Sequence, residues 1–202
     1  MADIALEMAE TIRAYHAKGW SPATSTNYSY RDSANDKIIN VSRSGIDKSF
    51  FRAEDFMCVD FEGKPAFGYE SIRPSAETLI HCIIYQLFPS STVILHSHSK
   101  YSVLMSQLVD KSISFKGYEI QKGFKGQTTH EATVTVPVIN NSQDMIVFSE
   151  WMKARETELN HHCFIIRNHG TYAWGDNLFE AKRHLETLEY LLEVEFMKRC
   201  VK

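Results

Sequence analysis

Residues 93–100 read Val-Ile-Leu-His-Ser-His-Ser-Lys, and this stretch decides the predicted fold. Its apolar, β-branched start is typical of a strand, so the side chains of His96 and His98 leave the same face, about 6.5 Å apart along the chain. Two imidazoles with that spacing can both approach one metal ion to about 2.0–2.1 Å. The alternative is a hydrogen-bonded, half-buried histidine beside an exposed one, and the pair alone leaves both interpretations open.

A third histidine follows another apolar run. The run Cys163-Phe164-Ile165-Ile166 predicts a buried strand, and Asn168-His169-Gly170 comes shortly after it. Three protein ligands with an open fourth position are the pattern of a catalytic zinc site. A histidine bonded to the backbone at a strand end is the alternative, because separation along the chain does not show whether His169 converges with His96 and His98.

The rest of the chain alternates between helix-like and strand-like patterns. Apolar residues three and four apart predict helices over residues 4–18, 79–87, 101–108, 145–159 and 177–198. Shorter runs predict strands over 37–42, 56–61, 112–115, 134–139 and 163–166, with a hairpin turn over 32–36. We therefore predict an α/β fold, in which residues 1–202 form a single domain with a central mixed or antiparallel sheet covered by helices.

Composition indicates a globular chain without a strongly charged surface. The sequence is 44% hydrophobic and 23% charged, with a net charge of −3, which argues against nucleic acid or an anionic membrane as a partner. The cysteines form no C-x-x-C pair, which favours a reducing setting. The acidic start of the chain does not resemble a signal peptide, and no apolar run reaches the length that spans a membrane. We expect a cytoplasmic protein with a small-molecule partner.

Polar residues in three predicted loops or helix starts could bind an anion. Ser75 stands at a predicted helix start, and Asn27 and Gly45 stand in other loops. Together they can present backbone N–H groups and a hydroxyl to a phosphate. Each also has a purely structural interpretation, since serine caps helices and asparagine and glycine form turns.

Two carboxylates are candidates for a general acid or base beside a metal. Glu77 lies at the start of the helix before the His96 strand, where the helix dipole also favours an acidic residue. Glu119 lies in the polar segment Gly117-Tyr118-Glu119, where a solvated loop charge is the alternative. His81 falls within a predicted helix, and we interpret it as a structural or surface histidine.

The order of these motifs resembles a known family. The resemblance rests on Thr24 to Ser29, Ser42-Arg43-Ser44-Gly45, Arg73 to Glu77, His96 to Ser99 and Asn168-His169-Gly170. In that order they resemble the class II (zinc-dependent) sugar-phosphate aldolase and adducin superfamily. Within it, three further stretches are similar to the methylthioribulose-1-phosphate dehydratase family; they are residues 117–122, 128–134 and 183–193.

The resemblance implies a site. It implies one zinc ion per subunit bound by His96, His98 and His169, and a substrate-phosphate pocket lined by Asn27, Ser44, Gly45 and Ser75. Glu119 then occupies the position of the catalytic acid/base of the dehydratases, and Glu77 matches the base of the aldolases. The chain departs from the family where Thr26 replaces the usual glycine before the asparagine, which predicts an altered loop.

The resemblance also implies a reaction. The dehydratases of this family act in methionine salvage, where they remove water from 5-methylthioribulose 1-phosphate and form 2,3-diketo-5-methylthiopentyl 1-phosphate. A class II aldolase-like homotetramer with active sites near subunit boundaries is the implied assembly. The alternatives are a sugar-phosphate aldolase or 4-epimerase of the same superfamily, which Glu77 supports, and a non-catalytic adducin-like module, which would not need the three histidines.

Overall fold

The computed structural model describes residues 3–31 and 37–201, so the predicted hairpin turn over 32–36 lies outside the described residues. Eight strands within those ranges form one mixed sheet in the order β3-β2-β1-β4-β8-β7-β6-β5. Their bounds are β1 Tyr28–Arg31, β2 Ile39–Ser42, β3 Phe56–Val59, β4 Val93–Ser97, β5 Ser112–Phe115, β6 Val134–Ile139, β7 Cys163–Ile166 and β8 Gly170–Gly175. The predicted α/β fold with a helix-covered sheet is confirmed.

Five α-helices cover the sheet within the same part of the chain. They are α1 Ile4–Ala17, α2 Thr78–Leu87, α3 Lys100–Leu108, α4 Met145–Ala154 and α5 Leu178–Cys200. Asp3 caps α1 by accepting a hydrogen bond from the Ala5 N–H, and Asn177 caps α5 through the Glu180 N–H. The helix predicted over 145–159 is shorter, because Arg155 leaves helical geometry and a 3₁₀ turn follows at Glu156–Leu159.

The sheet separates two apolar layers. One layer packs α1 and α5 against one face of the sheet, and the other packs α2 and α4 against the opposite face. Strand β4 contributes to both layers because its side chains alternate: Val93 and Leu95 join the first layer, and Ile94 joins the second. The side chain of His96 therefore leaves on the α2 side of the sheet, and Ser97 leaves on the α5 side.

Strand direction collects the candidate residues at one edge of the sheet. Strand β4 pairs antiparallel with β1 on one side and with β8 on the other. The end of β4 therefore lies beside the starts of β1 and β8, with the end of β2 next to β1. This edge carries His96 near the end of β4, His98 just after β4, His169 before β8, and Asn27 before β1.

Candidate metal centre

Strand β4 brings two imidazoles to the candidate site, as the spacing predicts. Nε2 of His96 lies 2.8 Å from Nε2 of His98. His96 is fully buried, and its Nδ1 lies 2.9 Å from the carbonyl oxygen of Thr171, so Nδ1 carries the proton and donates it. The lone pair of His96 Nε2 is thereby directed into the site, which is the arrangement of a metal-binding histidine.

His169 and Glu77 complete a group that we call the His/Glu cluster: Glu77, His96, His98 and His169. One possible ligand atom from each residue lies within 4.8 Å of the other three. The carboxylate of Glu77 connects two of the imidazoles, with Oε2 3.4 Å from His96 Nε2 and Oε1 3.3 Å from His169 Nε2. The structure therefore brings His169 to the His96 strand, which the spacing alone left open.

Burial sets the charge state of the cluster. Burial and the neighbouring His98 hold the pKa of His96 well below its usual range, and burial together with His169 lowers the pKa of His98 to about 4. Burial also acts to raise the pKa of Glu77, but the hydrogen bond to His169 and the electrostatic interactions with the His96 and His169 rings outweigh it and leave that pKa well below its usual range. The neutral imidazoles of His96 and His98, the imidazole of His169 and the ionised carboxylate of Glu77 supply the nitrogen and oxygen donors that a divalent transition metal binds, so the residues fit the implied ion.

The predicted phosphate residues lie around this edge. The side chain of Asn27 is buried and donates a hydrogen bond to Glu77, while Ser44 and Gly45 are exposed in the turn that follows β2. Gly45 has φ +77°, and a side chain there would meet open space. Ser75 accepts a hydrogen bond from the Glu77 N–H at 3.3 Å, and α2 begins only at Thr78, so the N-cap is Glu77 rather than Ser75. The phosphate role of these four residues stays a prediction.

Glu119 lies apart from the His/Glu cluster in its own chain. It begins the 3₁₀ turn Glu119–Gly123, which packs on α5, on the opposite face of the sheet from the His96 side chain. Its carboxylate is 74% exposed and lies 2.6 Å from Lys122 and 3.4 Å from His130. The hydrogen bond from Lys122 lowers the pKa of Glu119. Fold alone therefore does not bring this predicted acid/base to the metal ligands of the same subunit.

Two residues beside the cluster were not among the sequence candidates. The Tyr172 ring stacks on His96 with 4.0 Å between centroids, and its hydroxyl lies 3.0 Å from Glu77 Oε2. His81, interpreted from sequence as structural or surface, is fully buried and contacts Asn27. His81 stands four residues after Glu77 on α2, a spacing that places both on one helix face and that was the available signal. Nothing in the apolar run of β8 distinguishes Tyr172.

Comparison with known proteins gives one family. Residues 6–196 match the family described as Class II Aldolase and Adducin N-terminal domain. A protein from Picosynechococcus sp. named methylthioribulose-1-phosphate dehydratase is 51% identical over 91% of this chain and 87% of its own length. A protein of the same name from Xanthomonas campestris pv. campestris is 44% identical over 93% of this chain and 86% of its own length.

Solved structures show the same fold at lower identity. The L-fuculose-1-phosphate aldolase from Thermus thermophilus superposes with a TM-score of 0.72 at 21% identity, covering 97% of this chain and 95% of that protein. The L-fuculose 1-phosphate aldolase from Glaciozyma antarctica superposes with a TM-score of 0.75 at 20% identity, covering 98% and 74% of the two chains. These similarities establish the architecture.

Proposed function

We infer that this chain, which belongs to the methylthioribulose-1-phosphate dehydratases of the class II aldolase and adducin N-terminal domain family, is a hydro-lyase that removes water from 5-methylthioribulose 1-phosphate. The observation that carries this inference is the His/Glu cluster, in which four possible metal ligands lie within 4.8 Å of one another in a chain with 51% identity to a named dehydratase. The product is 2,3-diketo-5-methylthiopentyl 1-phosphate, formed in methionine salvage.

The metal of the site is zinc, held by His96, His98 and His169 with one ion per subunit. The neutral imidazoles of His96 and His98, the imidazole of His169 beside them and the adjacent carboxylate support this choice. When bound, zinc supplies Lewis acidity that polarises the substrate's C2 ketone and C3 hydroxyl oxygens and makes the C3 proton easier to remove.

Glu77 is the residue that takes the C3 proton. Its carboxylate is ionised, lies in the His/Glu cluster and is held by Asn27 and Tyr172. Loss of the C3 proton leaves its electron pair to form a C2=C3 double bond, while the π electrons of the C2 carbonyl move onto its oxygen. When the C2 ketone forms again, the electrons of the C2=C3 double bond form a C3=C4 double bond, and the C4 hydroxyl leaves with a proton as water. The C3 enol then loses its hydroxyl proton and gains a proton at C4 to become the C3 ketone, so the net change is the loss of one water molecule.

The C4 hydroxyl needs an acid, and Glu119 is the candidate. Because Glu119 lies on the opposite face of the sheet from the cluster in its own chain, a second copy has to supply it. We therefore place the active site near a subunit boundary of a homotetramer, where the partner subunit's Glu119 protonates the leaving hydroxyl. The exposure of Glu119 supports this placement, since an exposed carboxylate remains available to a neighbour.

The substrate phosphate binds at the loops of the same sheet edge. Asn27, Ser44, Gly45 and Ser75 form this pocket, with the open space at Gly45 allowing close approach of the backbone to an anion. The enzyme works in the cytoplasm. Free Cys58, Cys82, Cys163 and Cys200 support a reducing compartment, and none of the described helices is long and apolar enough to cross a bilayer.

The test is an assay of zinc-loaded protein with 5-methylthioribulose 1-phosphate. We expect a diketone product lighter than the substrate by one water, detected by mass spectrometry, and loss of turnover after chelation of zinc. Carbon–carbon cleavage of the substrate would instead indicate an aldolase.

The variant Glu119→Gln tests the proposed acid. We expect it to lower kcat by about 10²- to 10⁴-fold with zinc still bound, and near-normal turnover of this variant would refute the role of Glu119.

A further inference from the structure

A buried line of hydrogen bonds leads away from Glu77 on the α2 side of the sheet. Nδ2 of Asn27 donates to Oε2 of Glu77 at 2.5 Å, and Oδ1 of Asn27 contacts Nε2 of His81. On the other side of the His81 ring, Nδ1 lies 2.7 Å from the Ser29 hydroxyl, which lies 2.9 Å from the Tyr85 hydroxyl. We call Asn27, His81, Ser29 and Tyr85 the Asn27–His81 network; all four are buried.

The chemistry of the groups gives these bonds a single direction. The ionised carboxylate of Glu77 can only accept, so the amide nitrogen of Asn27 faces it and the amide oxygen faces His81. His81 must then donate from Nε2. Burial lowers the pKa of His81 to about 3, so the ring is neutral and its Nδ1 carries a lone pair. The Ser29 hydroxyl donates to that lone pair and in turn accepts from Tyr85.

We propose that His81 is a positioning residue, which acts through Asn27 to hold the Glu77 carboxylate in place beside the metal ligands. The function of His81 is to present an N–H to the Asn27 carbonyl, which prevents the amide from rotating by half a turn. A rotated amide would place its oxygen against the carboxylate and replace a hydrogen bond by repulsion between two acceptors. Glu77 would then lose one of the two donors, Asn27 and Tyr172, that hold Oε2.

This proposal deepens the proposed function and rests on it for the identity of the substrate, but the geometry of the network does not depend on the reaction. Ser29 is compatible with this tautomer, since its hydroxyl can donate to the Nδ1 lone pair on the far side of the ring. The Asn27 side chain is already engaged by Glu77 and His81, with the Tyr172 hydroxyl 3.4 Å from its oxygen. Its buried amide is therefore part of the support of Glu77.

The first test uses the wild-type zinc-loaded protein and needs no substrate. Long-range ¹H–¹⁵N spectra of imidazole groups distinguish the two neutral tautomers and the charged form. We expect His81 to be neutral with its proton on Nε2 from pH 6 to 8. An ordinary histidine, with a pKa of about 6.5, would change its charge within this range. A proton on Nδ1, or a charged ring in this range, would overturn the proposal.

The second test compares two substitutions of similar polarity. The amide nitrogen of glutamine in His81→Gln reaches the position of Nε2, whereas the shorter side chain in His81→Asn reaches only that of Nδ1. We expect His81→Asn to lower kcat by about 10- to 100-fold, the usual cost of losing an outer contact of a metal site, with KM changed less than about threefold. We expect His81→Gln to stay within about threefold of wild type in both constants.

The affinity of the same two variants for cobalt(II) is measured by visible absorption. This measurement needs no substrate, so a failure of the proposed reaction does not affect it. We expect affinity for cobalt to fall by about tenfold in His81→Asn and to be kept in His81→Gln. Equal behaviour of the two variants, whether both normal or both impaired, would overturn the positioning role. Normal cobalt results and the expected tautomer without turnover of methylthioribulose 1-phosphate would refute the proposed function alone.

Discussion

Thr26 occupies a backbone conformation that a β-branched residue rarely adopts. Its φ is +71°, in the left-handed region that favours glycine. A glycine, which the family resemblance implies at this position, adopts this conformation without steric cost. The Thr26 hydroxyl partly compensates, since it lies 2.5 Å from the Ser25 carbonyl oxygen and 3.0 Å from the Ser21 hydroxyl. The altered loop stays a prediction, and the structure shows that Thr26 takes the left-handed conformation with its hydroxyl hydrogen-bonded.

Two substitutions of Thr26 separate backbone strain from hydrogen bonding. Thr26→Gly should leave the free energy of unfolding within about 1 kcal/mol of wild type, because relief of about 1–3 kcal/mol of strain offsets the lost hydrogen bonds. Thr26→Val keeps the strain but loses the hydroxyl, so we expect a loss of about 1–3 kcal/mol. Urea denaturation measures both. A glycine variant less stable than the valine variant would contradict the strain argument.

Lys48 is a fully buried lysine that follows the predicted phosphate loop. Its Nζ donates to the Ile46 carbonyl oxygen at 3.0 Å and lies 5.6 Å from the centre of the Phe51 ring. Burial lowers the pKa of this lysine to about 8, although the charges of Asp47 and Asp55 act in the opposite direction. Below that pH the protein therefore bears the cost of a buried charge.

Lys48→Met should stabilise the protein near neutral pH by about 1–2 kcal/mol, because it removes the buried charge and keeps the side-chain volume. Between pH about 8 and the ordinary lysine value of 10.5, the unfolded chain binds more protons than the folded one, so wild-type stability rises with pH. The advantage of the variant should therefore shrink over that range. Thermal unfolding at pH 7 and pH 10.5 tests this, and an equal difference at both pH values would contradict it.

At the scale of elements, α5 is connected to strand β4, which carries His96, through a buried carboxylate. Glu189 on α5 accepts hydrogen bonds from the hydroxyls of Ser97 and Ser99, the residues on either side of His98. Glu189 is 2% exposed, and burial raises its pKa, although the hydrogen bonds from Ser97 and Ser99 act to lower it. Glu189 therefore holds the end of β4 on the face of the sheet opposite the His/Glu cluster.

The raised pKa predicts how this contact responds to pH. Between the ordinary value of 4.5 and the raised value, the folded protein binds more protons than the unfolded chain, so the contribution of Glu189 to stability falls as pH rises. Glu189→Gln removes this dependence, and we expect the variant to gain stability relative to wild type as pH rises from 4.5 to 8. Glu186→Gln, which changes an exposed carboxylate on the same helix, is the matched control. A relative stability that does not change with pH would refute the argument.

At the scale of the whole molecule, the sheet separates Glu119 from the His/Glu cluster. A complete site then needs Glu77 from one subunit and Glu119 from another, if both residues act as proposed. The interpretation of residues 1–202 as one domain stays a prediction and agrees with the family match over residues 6–196. The proposed roles of Glu77 and Glu119 therefore require an oligomer.

Mixing two inactive variants tests this arrangement. Glu77→Gln and Glu119→Gln should each be inactive alone, but in the proposed homotetramer mixed assemblies would contain boundaries where an intact Glu77 meets an intact Glu119. We expect equal mixing to restore about one quarter of wild-type activity, since each carboxylate is intact at a given site half of the time. Differently tagged subunits, purified through both tags, confirm that mixed tetramers formed. Their inactivity would show that Glu119 does not act across the boundary.

The sequence by itself determined those features that depend only on residues close together in the chain. The two-residue period of a strand places His96 and His98 on one face, and the apolar pattern locates most helices and strands. Only tertiary structure brought His169, Glu77 and Asn27 to those imidazoles, because their approach depends on strand order and register across the sheet. Likewise, only packing on α5 decided on which face of the sheet Glu119 lies, since an exposed polar segment carries no periodic signal that specifies its layer.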